Sequence, residues 1–110
     1  MGHVTRGNVF EDLGFSREEA IDLAMKVDLA REIRKFIDRQ NLKKQERAAA
    51  FFGVPRPRIS QIANNKLDGM SIEYLVRMLA KTGGRLTYSF RQPSQQAGKK
   101  RVKEQAQAAA

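Results

Sequence analysis

Apolar residues recur at three- and four-residue steps along most of the chain, and this spacing predicts helices. Near the N terminus, Ser16 and Glu19 have the spacing of a capping box, which predicts the start of a short helix. A second apolar stripe over residues 27–37 predicts another helix, either continuous with the first or broken near Lys26. Asn41 marks its predicted end.

The middle of the chain predicts two short helices bent around a glycine. The first spans roughly residues 44–52, and Gly53 can adopt the positive φ that a tight helix end needs. The second covers residues 56–63, with Pro57 in its first turn, where a missing N–H has no cost. A last helix is predicted over residues 71–82.

Residues 85–91 alternate polar and apolar side chains, which predicts one β-strand. A single strand is not stable alone, so it needs a partner. A second copy of the same chain is the simplest partner, and Leu86, Tyr88 and Phe90 become the predicted dimer contacts. Composition then divides the chain into a flexible N terminus (1–9), one folded domain (10–91) and a disordered basic tail (92–110).

Charge is distributed unevenly around a formal total of +9 and a sequence pI of about 10.4. Residues 1–41 carry seven Lys/Arg against eight Asp/Glu, residues 42–91 carry ten against three, and residues 92–110 carry four against one. The basic excess therefore begins where the pair of short helices begins. A basic surface of this kind is typical of nucleic-acid-binding proteins, although charge alone also fits an ordinary solvated surface.

The sequence lacks the residues that several classes of function require. With no cysteine and a single histidine, His3, the sequence predicts no disulfide, no metal site and no cofactor. The sequence has no clustered pair of acidic residues of the kind that acid–base catalysis uses, so we do not expect an enzyme. No apolar run is long enough for a membrane span and no signal-peptide pattern follows the start, so we expect a cytoplasmic protein.

The second of the two short helices has the chemistry of a DNA-recognition helix. Arg56 and Arg58 can each make two hydrogen bonds to guanine, and Gln61 can pair with adenine in the same way. Ile59 and Ile62 fall on the opposite, inward face. Polar side chains on one face and isoleucines on the other are typical of a helix that docks in the major groove.

Other candidate DNA contacts flank these residues. The preceding helix starts near Lys44 and Gln45, where free N–H groups and the helix dipole favour phosphate. Polar side chains just after the recognition helix fit backbone contacts. The predicted DNA-binding set is Lys44, Gln45, Arg56, Pro57, Arg58, Ser60, Gln61, Asn64, Asn65 and Lys66.

These residues also resemble a known family. The Cro/phage-repressor (XRE) helix-turn-helix has a pattern of Gln, Ala, Leu, Gly, Val/Ile, Ile, Ser and Ile/Leu. It is matched here by Gln45, Ala49, Phe52, Gly53, Val54, Ile59, Ser60 and Ile62. Residues 7–14, 57–60 and 70–90 further resemble HigA-type antitoxins, so that the likeness covers residues 7–90.

The resemblance implies a mostly α, lambda-repressor-like domain of five helices with one C-terminal dimerising strand. It implies a homodimeric repressor that binds a palindromic operator, neutralises a RelE-like messenger-RNA-cleaving toxin and represses the shared operon. Gln45, Arg56, Pro57, Arg58 and Gln61 fall at DNA-contacting positions of that family. Two positions depart from it: Pro55 replaces the usual Ser/Thr cap of the recognition helix, and Lys44 replaces a Thr cap.

Two other functions fit the same sequence. One is a stand-alone or prophage regulator without a toxin, which the absence of a neighbouring reading frame for a small basic ribonuclease would favour. The other is a protein-interaction module in which the helix-turn-helix is only a scaffold. Its working surface would be acidic and would comprise Asp12, Glu18, Glu19, Asp22 and Asp28. Binding that does not weaken with salt would favour this second function.

Overall fold

A computed structural model describes residues 9–92 of the protein. Five α-helices occur within this range: α1 (Val9–Asp12), α2 (Arg17–Arg39), α3 (Gln45–Phe52), α4 (Arg56–Ala63) and α5 (Ile72–Ala80). The predicted flexible N terminus, apart from Val9, and the predicted tail, apart from Gln92, lie outside the described residues, as does His3.

Helix α2 is one continuous helix of 23 residues. The predicted capping box is confirmed: the Ser16 hydroxyl accepts the Glu19 N–H at 3.1 Å, and the Glu19 carboxylate accepts the Ser16 N–H at 3.2 Å. No glycine or proline interrupts the helix, and Lys26 forms an ion pair with Asp22 at 2.9 Å, one turn earlier. The helix ends before Asn41, whose φ of 58° lies in the left-handed region and confirms the predicted stop.

The two halves of α2 have different surroundings. In the second half, Leu29, Ala30 and Ile33 are buried in the core. In the first half, Ile21 and Met25 are each 45% exposed. We call residues 9–26, which comprise α1 and this first half of α2, the N-terminal arm. Apart from Ala20, which is buried, the arm contributes no member to the core.

The core lies where α2, α3, α4 and α5 meet. Its buried members are mostly aliphatic: Leu29, Ala30, Ile33, Ala48, Phe52, Ile59, Ile62, Leu67, Met70, Leu75 and Met78. The predicted inward positions of α4, Ile59 and Ile62, are therefore confirmed, and Leu75 and Met78 form the buried side of α5. Phe51 is 43% exposed and packs at the edge of the core against Phe36, with ring centroids 5.1 Å apart.

The predicted C-terminal strand is wrong. Residues 84–92 adopt no regular secondary structure, and no β-strand occurs within residues 9–92, so this part of the chain is all α. An alternating pattern becomes a strand only beside a hydrogen-bonded neighbour, and the described part of the chain supplies none. The alternation instead leaves Leu86, Tyr88 and Phe90 exposed by 43, 94 and 82%.

Candidate nucleic-acid interface

Helices α3 and α4 are joined by a tight turn at Gly53. Gly53 has φ 66° and ψ 36°, and its N–H donates to the Ala49 carbonyl. The ammonium of Lys81, just after α5, donates to the Phe52 carbonyl and so holds the end of α3. A Cβ on residue 53 would lie 3.0 Å from that Lys81 nitrogen, so a larger residue would have both to adopt left-handed dihedral angles and to displace the end of the Lys81 side chain.

Helix α4 presents the two faces that the sequence predicts. Ile59 is 4% exposed and Ile62 fully buried, which fixes the inward face. Arg56 is exposed, and Arg58 and Gln61 are half-buried. Because the two isoleucines are anchored, the polar side chains have a defined orientation relative to the fold.

Arg56 is bound to the start of α3. Its Nε donates to Oε1 of Gln45 at 3.3 Å, and its Nη1 lies 3.1 Å from Oε1 of Glu46. The structure thus brings together two residues predicted separately, Gln45 and Arg56. It adds Glu46, which lies next to Gln45 in sequence but gave no signal, because an acid is not expected among DNA contacts.

Arg58 is held differently from Arg56. Its guanidinium carbon lies 5.4 Å from the centre of the Tyr74 ring, within the range of a cation–π interaction. Its Nη1 donates to Oε1 of Gln61 at 3.4 Å. Tyr74 was not predicted as part of the site, because it belongs to α5 and no local pattern relates it to Arg58.

The polar residues after α4 close the end of that helix. Nδ2 of Asn64 donates to the Ser60 carbonyl at 2.9 Å. Nη1 of Arg34, on α2, donates to Oδ1 of Asn65 at 2.7 Å and to the Ile62 carbonyl at 3.0 Å. The amide groups of both asparagines therefore take part in contacts within the fold, and Arg34 is a further residue that the sequence did not indicate.

Both helices begin without a side-chain cap. Neither Lys44, at the start of α3, nor Pro55, at the start of α4, makes a capping hydrogen bond. Uncapped N–H groups and the positive end of the helix dipole attract anions such as phosphate. Exposed Lys44 and Lys66 add positive charge at the two ends of the motif.

Other kinds of site are not found in residues 9–92. No group of three or more His, Cys, Asp or Glu side chains there could hold a metal ion. None of the helices in this range is both long and apolar enough to cross a lipid bilayer.

Comparisons with known proteins agree with this geometry. A family model described as a helix-turn-helix domain matches residues 9–90. The chain is similar to a solved structure of a candidate XRE-family transcriptional regulator, with 30% sequence identity and a TM-score of 0.62. That match covers 70% of this chain and 85% of the other. No curated protein matches the chain.

Proposed function

We propose that this chain, which belongs to the helix-turn-helix domain family and is a DNA-binding transcriptional regulator of XRE type, is a sequence-specific repressor. The outward face of α4 carries this proposal. None of Arg56, Arg58 and Gln61 is buried, and each can bind a base edge in the major groove. The buried isoleucines on the other side of α4 fix the helix against the domain, which a rigid docking surface requires.

Contacts to the DNA backbone would surround this base-reading face. Residues 42–91 carry a net charge of +7, and both helix starts are uncapped. Lys44 and Lys66 would bind phosphates directly. Gln45 and Pro57 would lie against the groove at the helix starts, and the remaining predicted contacts, Ser60, Asn64 and Asn65, would approach the backbone at the other end of α4.

Binding to the DNA upstream of the chain's own reading frame tests the repressor. We expect that duplex to bind more tightly than a scrambled duplex of equal length. Affinity should fall steeply with salt, by about 10³–10⁵ between 50 and 200 mM if 6–10 phosphates are contacted. Fluorescence anisotropy at several salt concentrations measures both effects. Equal affinity for the two duplexes would exclude sequence-specific recognition.

The repressor would act as a homodimer on a palindromic operator. Two copies of α4 would enter major grooves about one DNA turn apart, roughly 34 Å. Three exposed apolar side chains, Leu86, Tyr88 and Phe90, support self-association, because exposed apolar patches commonly mark contact surfaces.

Sedimentation velocity tests the dimer. Replacing Leu86, Tyr88 and Phe90 together by serine should shift the protein towards the monomer and weaken operator binding. The matched control replaces Ile21 and Met25, which are also exposed but lie in the N-terminal arm, by serine. A dimer that survives the first set and is lost with the second would place self-association in the arm.

We further propose that the protein is the antitoxin of a type II toxin–antitoxin pair and neutralises a RelE-like toxin. The N-terminal arm supports this role. It carries five acidic residues against two basic ones, and Val9, Leu13, Phe15, Ile21 and Met25 are 43–69% exposed. An acidic surface with exposed apolar side chains is complementary to a basic protein, as a messenger-RNA-cleaving toxin would be.

Co-expression with the product of a neighbouring small basic reading frame tests the antitoxin. The wild-type chain should restore growth and co-purify with that product. Glu18→Lys with Asp22→Lys should abolish both effects and leave DNA binding intact. Arg56→Ala should do the reverse. If no neighbouring frame encodes such a protein, the stand-alone regulator becomes the better assignment.

A further inference from the structure

We propose that Tyr74, on α5 and outside the helix-turn-helix, is a positioning residue that sets base specificity by holding Arg58 in its reading orientation. The inference rests on the proposed function, because it assumes that α4 reads bases. It assigns a role in recognition to a helix that would not itself enter the groove.

Three groups surround the guanidinium of Arg58. The Tyr74 ring faces it at 5.4 Å, and Oε1 of Gln61 accepts from Nη1 at 3.4 Å. Gly69 lies on a further side, since a Cβ built there would be 3.9 Å from the same Nη1. Arg58 is accordingly half-buried, although it belongs to the outward side of α4.

Tyr74 is itself firmly placed. The Ser71 hydroxyl, at the cap of α5, accepts the Tyr74 N–H at 3.0 Å. The next residue, Leu75, is fully buried in the core. The Tyr74 side chain is itself half-buried against the core, so its ring limits the rotamers that Arg58 can adopt.

A cation–π contact is electrostatic and does not require any of the N–H donors of the guanidinium. An arginine has five N–H donors, all in the plane of the group. The contact with Gln61 uses one of them. The remaining donors can still make the two parallel hydrogen bonds by which arginine recognises guanine.

Arg56 gives the contrasting case within the same helix. Its side chain is 61% exposed, and its partners are two flexible side chains of α3. An exposed arginine can exchange a base contact for a nearby phosphate at little cost, so Arg56 should select its base pair less strictly than Arg58 does. An arginine held by Tyr74 cannot move to another contact, so a wrong base leaves its donors unpaired.

Selection from a random pool of DNA duplexes, using the full chain, tests this difference. The wild type should enrich one sequence family in which at least one base pair, when changed, lowers affinity by about 5- to 150-fold. Tyr74→Phe keeps the ring and should retain that penalty. Tyr74→Leu removes the ring and should reduce the penalty at least about threefold, with little effect on binding to scrambled DNA.

Arg58→Ala separates positioning from a structural effect. That variant should abolish the penalty at the same base pair, and adding Tyr74→Leu to it should change nothing further. Thermal unfolding identifies any variant that has lost its fold, and Tyr74→Met serves as a second ring-free variant if Tyr74→Leu has done so.

The outcomes distinguish this inference from the proposed function. If the wild type enriches no sequence, sequence-specific recognition fails and Tyr74 has no specificity to set. If the wild type enriches a sequence and a folded ring-free variant keeps the full penalty, only the role of Tyr74 is overturned. The role of Tyr74 would also be overturned if Tyr74→Leu lowered affinity evenly at all base pairs. The same holds if Tyr74→Leu still lowered affinity when combined with Arg58→Ala.

Discussion

The two halves of α2 both carry apolar side chains at three- and four-residue steps, but their surroundings are opposite. Ile21 and Ile33 lie in the same helix and on apolar stripes with the same spacing, yet Ile21 is 45% exposed and Ile33 is fully buried. The second half of α2 supports the basic helix-turn-helix, whereas the first half belongs to the acidic N-terminal arm. One continuous helix therefore contributes to a stable core at one end and leaves an apolar, acidic surface uncovered at the other.

The largest expected effect concerns stability. Ile33→Ala removes buried methyl groups and should lower the free energy of unfolding by about 2–5 kcal/mol. Ile21→Ala, the same change in the same helix, should cost less than about 1 kcal/mol, because the side chain already contacts water. Urea denaturation of both variants provides the measurement. Equal losses would mean that the arm is packed as firmly as the core.

The next effect concerns DNA affinity. Arg56→Ala should lose about 1–3 kcal/mol of binding at the operator and relax selectivity at one base pair. Arg17→Ala removes the same charge from the N-terminal arm, where Nη1 of Arg17 lies 3.6 Å from Oε1 of Glu11. This change should leave DNA binding nearly unchanged. Anisotropy titrations at one salt concentration compare the two. Similar losses for both would show that overall charge, and not α4, determines binding.

Removing helix caps tests the same difference between the N-terminal arm and the core, with a smaller expected effect on stability. Ser71→Ala and Ser16→Ala each remove a capping hydroxyl, worth about 1 kcal/mol to its helix. Since α5 is part of the core, Ser71→Ala should lower global stability. Ser16→Ala should instead raise hydrogen exchange only in the first turns of α2, because the arm can open locally. A global loss from Ser16→Ala would argue against an independent arm.

The smallest expected effect is a gain in DNA affinity. Glu46→Gln removes a carboxylate that binds Arg56 and repels phosphate, so DNA affinity should rise. Exposed ion pairs contribute about 0–1 kcal/mol, which limits the gain to about fivefold. Glu73→Gln is the matched control, since Glu73 also pairs with an exposed arginine, Arg77, but within α5. A gain of the same size from the control would reflect net charge alone.

Local sequence predicted the helix-turn-helix well, because local features determine it. Gly53 marks the turn, and the spacing of Ile59 and Ile62 fixes the inward face of α4. The same reasoning left open whether the helix breaks at Lys26, and the structure shows one continuous helix there. The helical turn at α1 was not predicted, since four residues are too few to show a period.

The failures have a common physical cause, which is dependence on distant partners. Alternation over residues 85–91 indicates a strand only if a neighbour exists, and nothing in the segment itself reveals one. Periodicity likewise could not separate Ile21 from Ile33, because it identifies an apolar face without showing what covers it. The contact between Arg58 and Tyr74 joins residues from two helices and follows from the packing of α5 against the rest of the core.

The turn at Gly53 also determines how freely the sequence can vary. A side chain there would have to adopt left-handed dihedral angles, at a cost of roughly 1–2 kcal/mol, and displace the Lys81 ammonium. Gly14, in the arm, also has a positive φ, but a Cβ there would meet no atom within 4 Å. Both positions should therefore favour glycine: position 14 for its dihedral angle alone, and position 53 also because a side chain there would disturb the contact between Lys81 and the end of α3.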